Sequence, residues 1–104
     1  MAEFNVKGAW EARQSSGHVV SFQIQQSGTE IQGIGSHSGG KVTGTGEGSV
    51  HGNHFVFTVD WSNGSIGEYN GTFNSIGRIT GVTFDVNHPQ HQATWVSSKT
   101  FRRT

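Results

Sequence analysis

The residues of this chain best equipped for chemistry are three tryptophans, one tyrosine, scattered serines and six histidines. Tryptophan and tyrosine combine a large apolar ring with a polar handle, so they can build a core or present a flat face to a ligand. Trp10 lies inside an alternating run and reads as a core residue. Trp61 and Trp95 lie near the ends of such runs, where indoles line a mouth and stack on rings or sugars. Tyr69 follows in the run after Trp61. Ser65 and Ser16 supply hydroxyls in or beside turns, and Ser36 closes the run from Glu30. The candidate ligand-binding set is therefore Trp61, Trp95, Ser65, Tyr69, Ser16 and Ser36.

Catalytic and metal chemistry find less to work with. An enzyme needs a nucleophile beside a base, or paired carboxylates. Asp60, Glu68 and Asp85 are the acids deep in alternating runs. Asp60 and Glu68 alternate away from Trp61 and Tyr69, toward solvent and the neighbourhood of Arg78 or Lys99. No catalytic spacing emerges, and the expectation is a protein that is not an enzyme. The histidines are His18, His37, His51, His54, His88 and His91, with two i, i+3 pairs bracketing turns. Alternation along a strand points such pairs to opposite faces, and without cysteine a zinc site lacks convergent ligands. They read as turn and surface histidines that give mild pH sensitivity, with no metal or other cofactor expected.

The elements that must hold these residues are strands. Apolar and polar residues alternate almost from end to end, most clearly in Phe55, Phe57, Val59 and Trp61. The chain contains no leucine but many Val, Ile, Thr, Phe and Trp, a choice that suits a pleated surface over a helix. Eight strands follow: the run from Phe4 to Ala12, Val20 to Ile24, Glu30 to Ser36, Lys41 to Val50, Phe55 to Trp61, Ser65 to Phe73, Arg78 to Val86 and Gln92 to Phe101. Between them, joints such as Ser15-Ser16-Gly17, Gln26-Ser27-Gly28 and Ser62-Asn63-Gly64 carry the Gly and Asn that tight turns require. The joints recur every 10 to 14 residues, too closely for crossover helices, so neighbouring strands are antiparallel. Pro89 falls in the last joint, Asn87 to His91, where a missing N–H is harmless. The fold class is all-β, a small antiparallel up-and-down β-barrel, because closure removes both sheet edges and leaves room for side chains or one small ligand.

Composition narrows the partners. At 104 residues there is room for one domain spanning the whole chain. Seven basic and seven acidic residues leave a formal net charge of zero, and Arg102-Arg103 is too small a basic cluster to track phosphates, so no nucleic acid is expected. No apolar run approaches the roughly 20 residues of a spanning helix, so membrane insertion is not expected. Met1 to Phe4 carries no leader signal, a start that suits the cytosol or a secreted protein after its leader is removed.

Glycines inside the strands need a reason, because each weakens a strand by about 0.5–1 kcal/mol relative to alanine. Gly44, Gly46 and Gly48 share one face with Val42 and Val50, and Gly33, Gly35, Gly67 and Gly71 continue the pattern. They either make room for Phe22, Phe55, Phe57 and Trp61 from the opposite wall, or open a cavity for a ligand.

Several short motifs appear together in order. Gly8-Ala9-Trp10, Phe57 to Asn63, Ser65 to Gly71, and Ala93-Thr94-Trp95 followed by Thr100-Phe101 resemble the avidin/streptavidin family of eight-stranded barrels. The resemblance covers most of the chain. It implies that Trp61 stacks on a ring, that Trp95 closes the pocket from a neighbouring subunit, and that Ser65 and Ser16 offer hydroxyls to the ligand. It also implies homodimers or homotetramers, and Val56 and Ile66 face outward. The chain departs from the family where Ala12 replaces an asparagine, Gly35 a tyrosine, Thr83 a tryptophan and Lys99 an aspartate. Those losses remove the groups that polarise the biotin ureido ring. What the resemblance implies is a barrel with a Trp and Ser mouth for a small-molecule or vitamin-like ligand. Two rival readings stand beside it. The Asn, Gln, Ser and Thr-rich strands also suit a lectin-like module for glycans, and the barrel could act through its surface as a protease inhibitor or scaffold.

Overall fold

The computed structural model describes residues 3–103, and all its elements are strands. They are β1 (Phe4–Asn5), β2 (Gly8–Gln14), β3 (Val19–Ser27), β4 (Glu30–His37), β5 (Val42–His51), β6 (His54–Trp61), β7 (Ile66–Phe73), β8 (Arg78–Asp85), β9 (His88–Thr100) and β10 (Arg102–Arg103). Strands β2 to β9 form a closed antiparallel barrel in sequence order, with β9 pairing back onto β2 through Ala12 opposite Ser97 and Gln14 opposite Trp95. The expected eight-stranded up-and-down barrel is what forms. It has no free edge, so its backbone groups are satisfied by ring closure.

Alternation decides what fills it. Trp10, Phe22, Phe55, Phe57, Tyr69 and Trp95 all point inward and are nearly or fully buried. Their rings meet edge to face: Phe22 lies 5.2 Å from Phe57 and 5.1 Å from Tyr69, and Trp95 lies 5.7 Å from both Phe55 and Tyr69. Burying each such ring contributes about 1.5–3 kcal/mol. The interior is therefore packed through its middle, and the strand glycines are what let it pack. A methyl on Gly46 would stand 2.6 Å from the Phe57 ring, and one on Gly71 would stand 3.0 Å from the Trp95 indole. At Gly33, Gly48 and Gly81 a methyl would instead strike the carbonyl oxygens of Gln23, Val56 and Asn70 on the adjacent strand, so the sheet coils too tightly there for any side chain. The ring over Gly46 comes from the adjacent strand β6, and that over Gly71 from β9, two strands away, rather than from the opposite wall.

The two ends of the barrel differ. One is stoppered by β1 pairing with β10, Phe4 opposite Arg103. Phe4 stacks on Phe73 at 4.0 Å, and the Arg103 guanidinium lies 4.3 Å over the Phe4 ring. The first run is thus not one strand: Gly8, at φ 118°, turns the chain from the stopper into the wall. Gln26 bridges the break, accepting the Val6 N–H at 2.8 Å and donating to the Phe4 carbonyl at 2.8 Å. The other end carries the β2–β3, β4–β5, β6–β7 and β8–β9 hairpins, and among the described residues nothing stoppers it.

Pro89 corrects the expected last joint. The turn is Val86-Asn87 alone, and β9 already begins at His88. Asp85 pairs with His88 while Phe84 pairs with Gln92, so Pro89, Gln90 and His91 form a bulge in which the missing N–H is tolerated. The histidine pairs are corrected as well. His51 and His54 are direct cross-strand partners across a two-residue turn and so share a face. The bulge swings His91 onto His88, and their rings stack at 5.6 Å.

Candidate functional site

At the unstoppered end the hairpins surround a cup of about 340 Å³. Its geometry starts with Trp61, the last residue of β6, whose N–H donates to the Ser65 carbonyl at 2.9 Å and whose carbonyl accepts the Gly64 N–H. That tight turn holds the indole across the barrel, where only 6% of the residue remains exposed. Three strands leave space for it. A methyl on Gly35 would stand 2.9 Å from its Cη2, one on Gly44 2.9 Å from its Cε3, and one on Gly67 2.9 Å from its Nε1. The glycine pattern legible in the sequence is, at these positions, a cradle for one tryptophan.

Beside Trp61 a polar file descends from rim to floor. The Ser16 hydroxyl lies 3.1 Å from His18 Nδ1 and donates to Gln14 Oε1 at 3.3 Å. Gln14 Nε2 donates to the Tyr69 hydroxyl at 3.1 Å, and Tyr69 is in turn hydrogen-bonded to Thr83. Burial pushes the Tyr69 phenol up to about 12, with the bonds from Thr83 and Gln14 pulling the other way, so it is a neutral hydrogen-bonding group at physiological pH. Across the cup, Ser65 donates to Asn63 Oδ1 at 2.7 Å. The rim carries His37, whose ring meets Trp61 at 4.8 Å and His18 at 6.5 Å. Desolvation, then the neighbouring His18, hold His37 below the usual histidine range.

Four of the six sequence candidates, Trp61, Ser65, Tyr69 and Ser16, thus line one cup. Trp95 does not. It alternates inward on β9, donates its indole N–H to the Asn70 carbonyl at 3.2 Å, and packs against Trp10, Phe55 and Tyr69 within its own barrel. Ser36 does not join the cup either. It lies on the outer wall, paired with Ser21 and Thr43, in a groove of about 540 Å³ around the exposed Ile34. The parity of β4 decides this, because Gly35 faces in. Gln14, Thr83, His18 and His91 were missed as cup residues. The alternation of Gln14 with Trp10 and Ala12 is the signal that could have found it.

The acids of the alternating runs are each engaged or exposed locally. Asp60 points outward and is exposed, while Glu68 accepts from Asn70 rather than from Arg78 or Lys99. Asp85 reaches the cup, but its oxygens are engaged by its own hairpin: the Asn87 N–H at 3.0 Å and His88 Nδ1 at 3.4 Å. The Asn87 N–H holds its carboxyl below the usual range; desolvation opposes it, and His88 and His91 add smaller lowering effects. Among the described residues no cluster of His, Asp and Glu has the makings of a metal site, and no buried side-chain polar atom lacks a partner.

Together the fold and the cup define a closed eight-stranded β-barrel with a packed middle and one open aromatic-floored end. No protein-family model matches the chain, and no curated protein matches it. Solved structures do. EF1p2_mFAP2b bound to DFHBI aligns with a TM-score of 0.58 at 13% identity, over 95% of this chain and 94% of that one. A redesigned β-barrel, mFAP1, bound to DFHBI, aligns with a TM-score of 0.55 at 17% identity, over 94% of each chain. At such identities the likeness speaks for the fold alone.

Proposed function

We propose that this chain is a non-enzymatic binding protein that holds one small planar molecule in the cup over Trp61. The observation that carries the reading is convergence: a fixed indole, the Tyr69 hydroxyl, and the Gln14, Ser16, Thr83 and Ser65 polar groups meet at one concave end of a rigid wall. Ligand sites are concavities of roughly 300–1,000 Å³ with apolar surface and a few placed polar groups, and the cup sits at the small end of that range. Two barrels of the same fold carry DFHBI, which supports a ligand role for the architecture. The larger concavities lie on the outer wall. One of about 910 Å³, between Gln25, Gln32, Glu47 and Thr58, is lined without any aromatic residue, so it offers a sugar nothing to stack on.

The test is titration with 1-naphthylmethanol, a neutral planar probe, followed by calorimetry. Wild type and Ser36→Ala bind it alike, and Trp61→Ala loses at least tenfold in affinity while keeping its β-sheet circular dichroism. Unchanged affinity in a folded Trp61→Ala protein would refute the site.

A further inference from the structure

Four of the six histidines sit at the open end of the barrel, on three consecutive hairpins: His18 follows β2, His37 ends β4, and His88 and His91 begin β9. Around the ring β9 is next to β2, so these residues form one arc facing the Trp61 and Ser65 hairpin. His18 and His91 line the cup itself. His37 abuts the Trp61 ring, and His88 stacks on His91. We propose that this arc makes the cup selective for a planar aromatic carboxylate, bound more tightly as the pH falls through the histidine range. The inference rests on the cup being the binding site and adds the charge of the ligand and its control.

The charges facing each histidine decide the sign. His37 faces His18, the Trp61 ring and the Ser38 hydroxyl, which lies 2.8 Å from its Nδ1. His18 faces Ser16 and His37. His88 and His91 face each other and Asp85. Asp85 is the carboxylate of this set, and its oxygens already accept from Asn87 and His88. Each proton added to the arc places positive charge at the cup, where Asp85 is the carboxylate in contact and the neighbouring His18 and His37 rings repel when both are charged. A carboxylate in the cup supplies the missing charge, raises the proton affinity of the arc and is itself held more firmly, the two effects being reciprocal. A neutral ligand of the same shape gains nothing from these protons. A cationic one is repelled.

The experiment compares 1-naphthoate, 1-naphthylmethanol and 1-naphthylmethylammonium by calorimetry between about pH 5.5 and pH 8, a span that brackets the ordinary histidine range. Naphthoate is expected to bind at least tenfold more tightly at the acid end, naphthylmethanol equally at both ends, and the ammonium more weakly in acid. In the His18→Gln/His37→Gln/His91→Gln protein the ratio of naphthoate to naphthylmethanol affinity no longer changes with pH, whereas His51→Gln/His54→Gln, at the opposite end, keeps both the wild-type naphthylmethanol affinity and the naphthoate dependence. Proton NMR of the His18 and His37 rings shows their titration moving to higher pH when naphthoate is added. Naphthylmethanol binding with a naphthoate affinity that is flat in pH, or absent, would overturn the anion inference and leave the cup standing. Failure of all three probes at every pH would overturn the cup and the inference together.

Discussion

Gly67 lies directly under the Trp61 indole: a methyl at position 67 would stand 2.9 Å from Nε1. Gly35 and Gly44 approach the same ring from two other strands. The floor of the cup is therefore set by three absent side chains as much as by one present ring.

Filling that space should move the ring. Gly67→Val keeps a residue suited to a strand but overpacks against Trp61, and overpacking costs about 1–3 kcal/mol. Urea unfolding is expected to show that loss together with weakened naphthylmethanol binding. Gly48→Val, whose side chain would meet the Val56 carbonyl rather than a movable ring, should be harmed more in stability. If Gly67→Val unfolds at the wild-type midpoint and binds as before, the cradle is not what places the indole.

Trp95 is a structural residue here, whatever its position near a strand end suggests. Trp95→Ala removes a buried ring with contacts to Trp10, Phe55 and Tyr69, and should cost about 3–5 kcal/mol. Against a total stability of about 5–15 kcal/mol, that lowers the thermal midpoint severely. A Trp95→Ala protein that melts within a few degrees of wild type would contradict the packed interior.

Tyr69 in the cup and His37 at its rim make stability depend on pH in opposite windows. Tyr69 ionises only near 12 in the folded chain, against 10 when free, so the stability it contributes is complete below pH 10 and is lost as the pH rises from 10 toward 12. Two units correspond to at most about 3 kcal/mol. His37 is held neutral by desolvation and by His18, so its contribution is present above 6.5 and declines as the pH falls below that value. Absorbance at the phenolate band should show the lone tyrosine titrating only with unfolding. A reversible transition near pH 10 in the folded protein would rule out the buried setting.

At the stoppered end, Gln26 acts as a piece of backbone. It accepts the Val6 N–H and donates to the Phe4 carbonyl where the chain breaks from β1 into the wall. Gln26→Leu removes both of these part-buried bonds, at a cost of about 0.5–1.5 kcal/mol each. Amide exchange at Val6 is expected to accelerate in that variant while exchange at Phe57 reports only the global loss. Equal protection at Val6 would show that the bridge is dispensable.

Much of this molecule was determined by local rules. Alternation, the absence of leucine and regularly spaced turn glycines determine the barrel, because period two and φ > 0 positions are properties of neighbouring residues. Phe55, Phe57, Val59 and Trp61 face inward by parity, and so does Gln14. What parity cannot supply is depth and company. Trp95 and Trp61 alternate alike, yet one is buried mid-barrel and the other floors a cup, because strand stagger around the ring sets height. His88 and His91 meet only because a bulge absorbs Pro89, and the arc they form with His18 and His37 exists only because closure makes β9 the neighbour of β2. Such relationships between distant residues arise from ring geometry, which no local window of the chain contains.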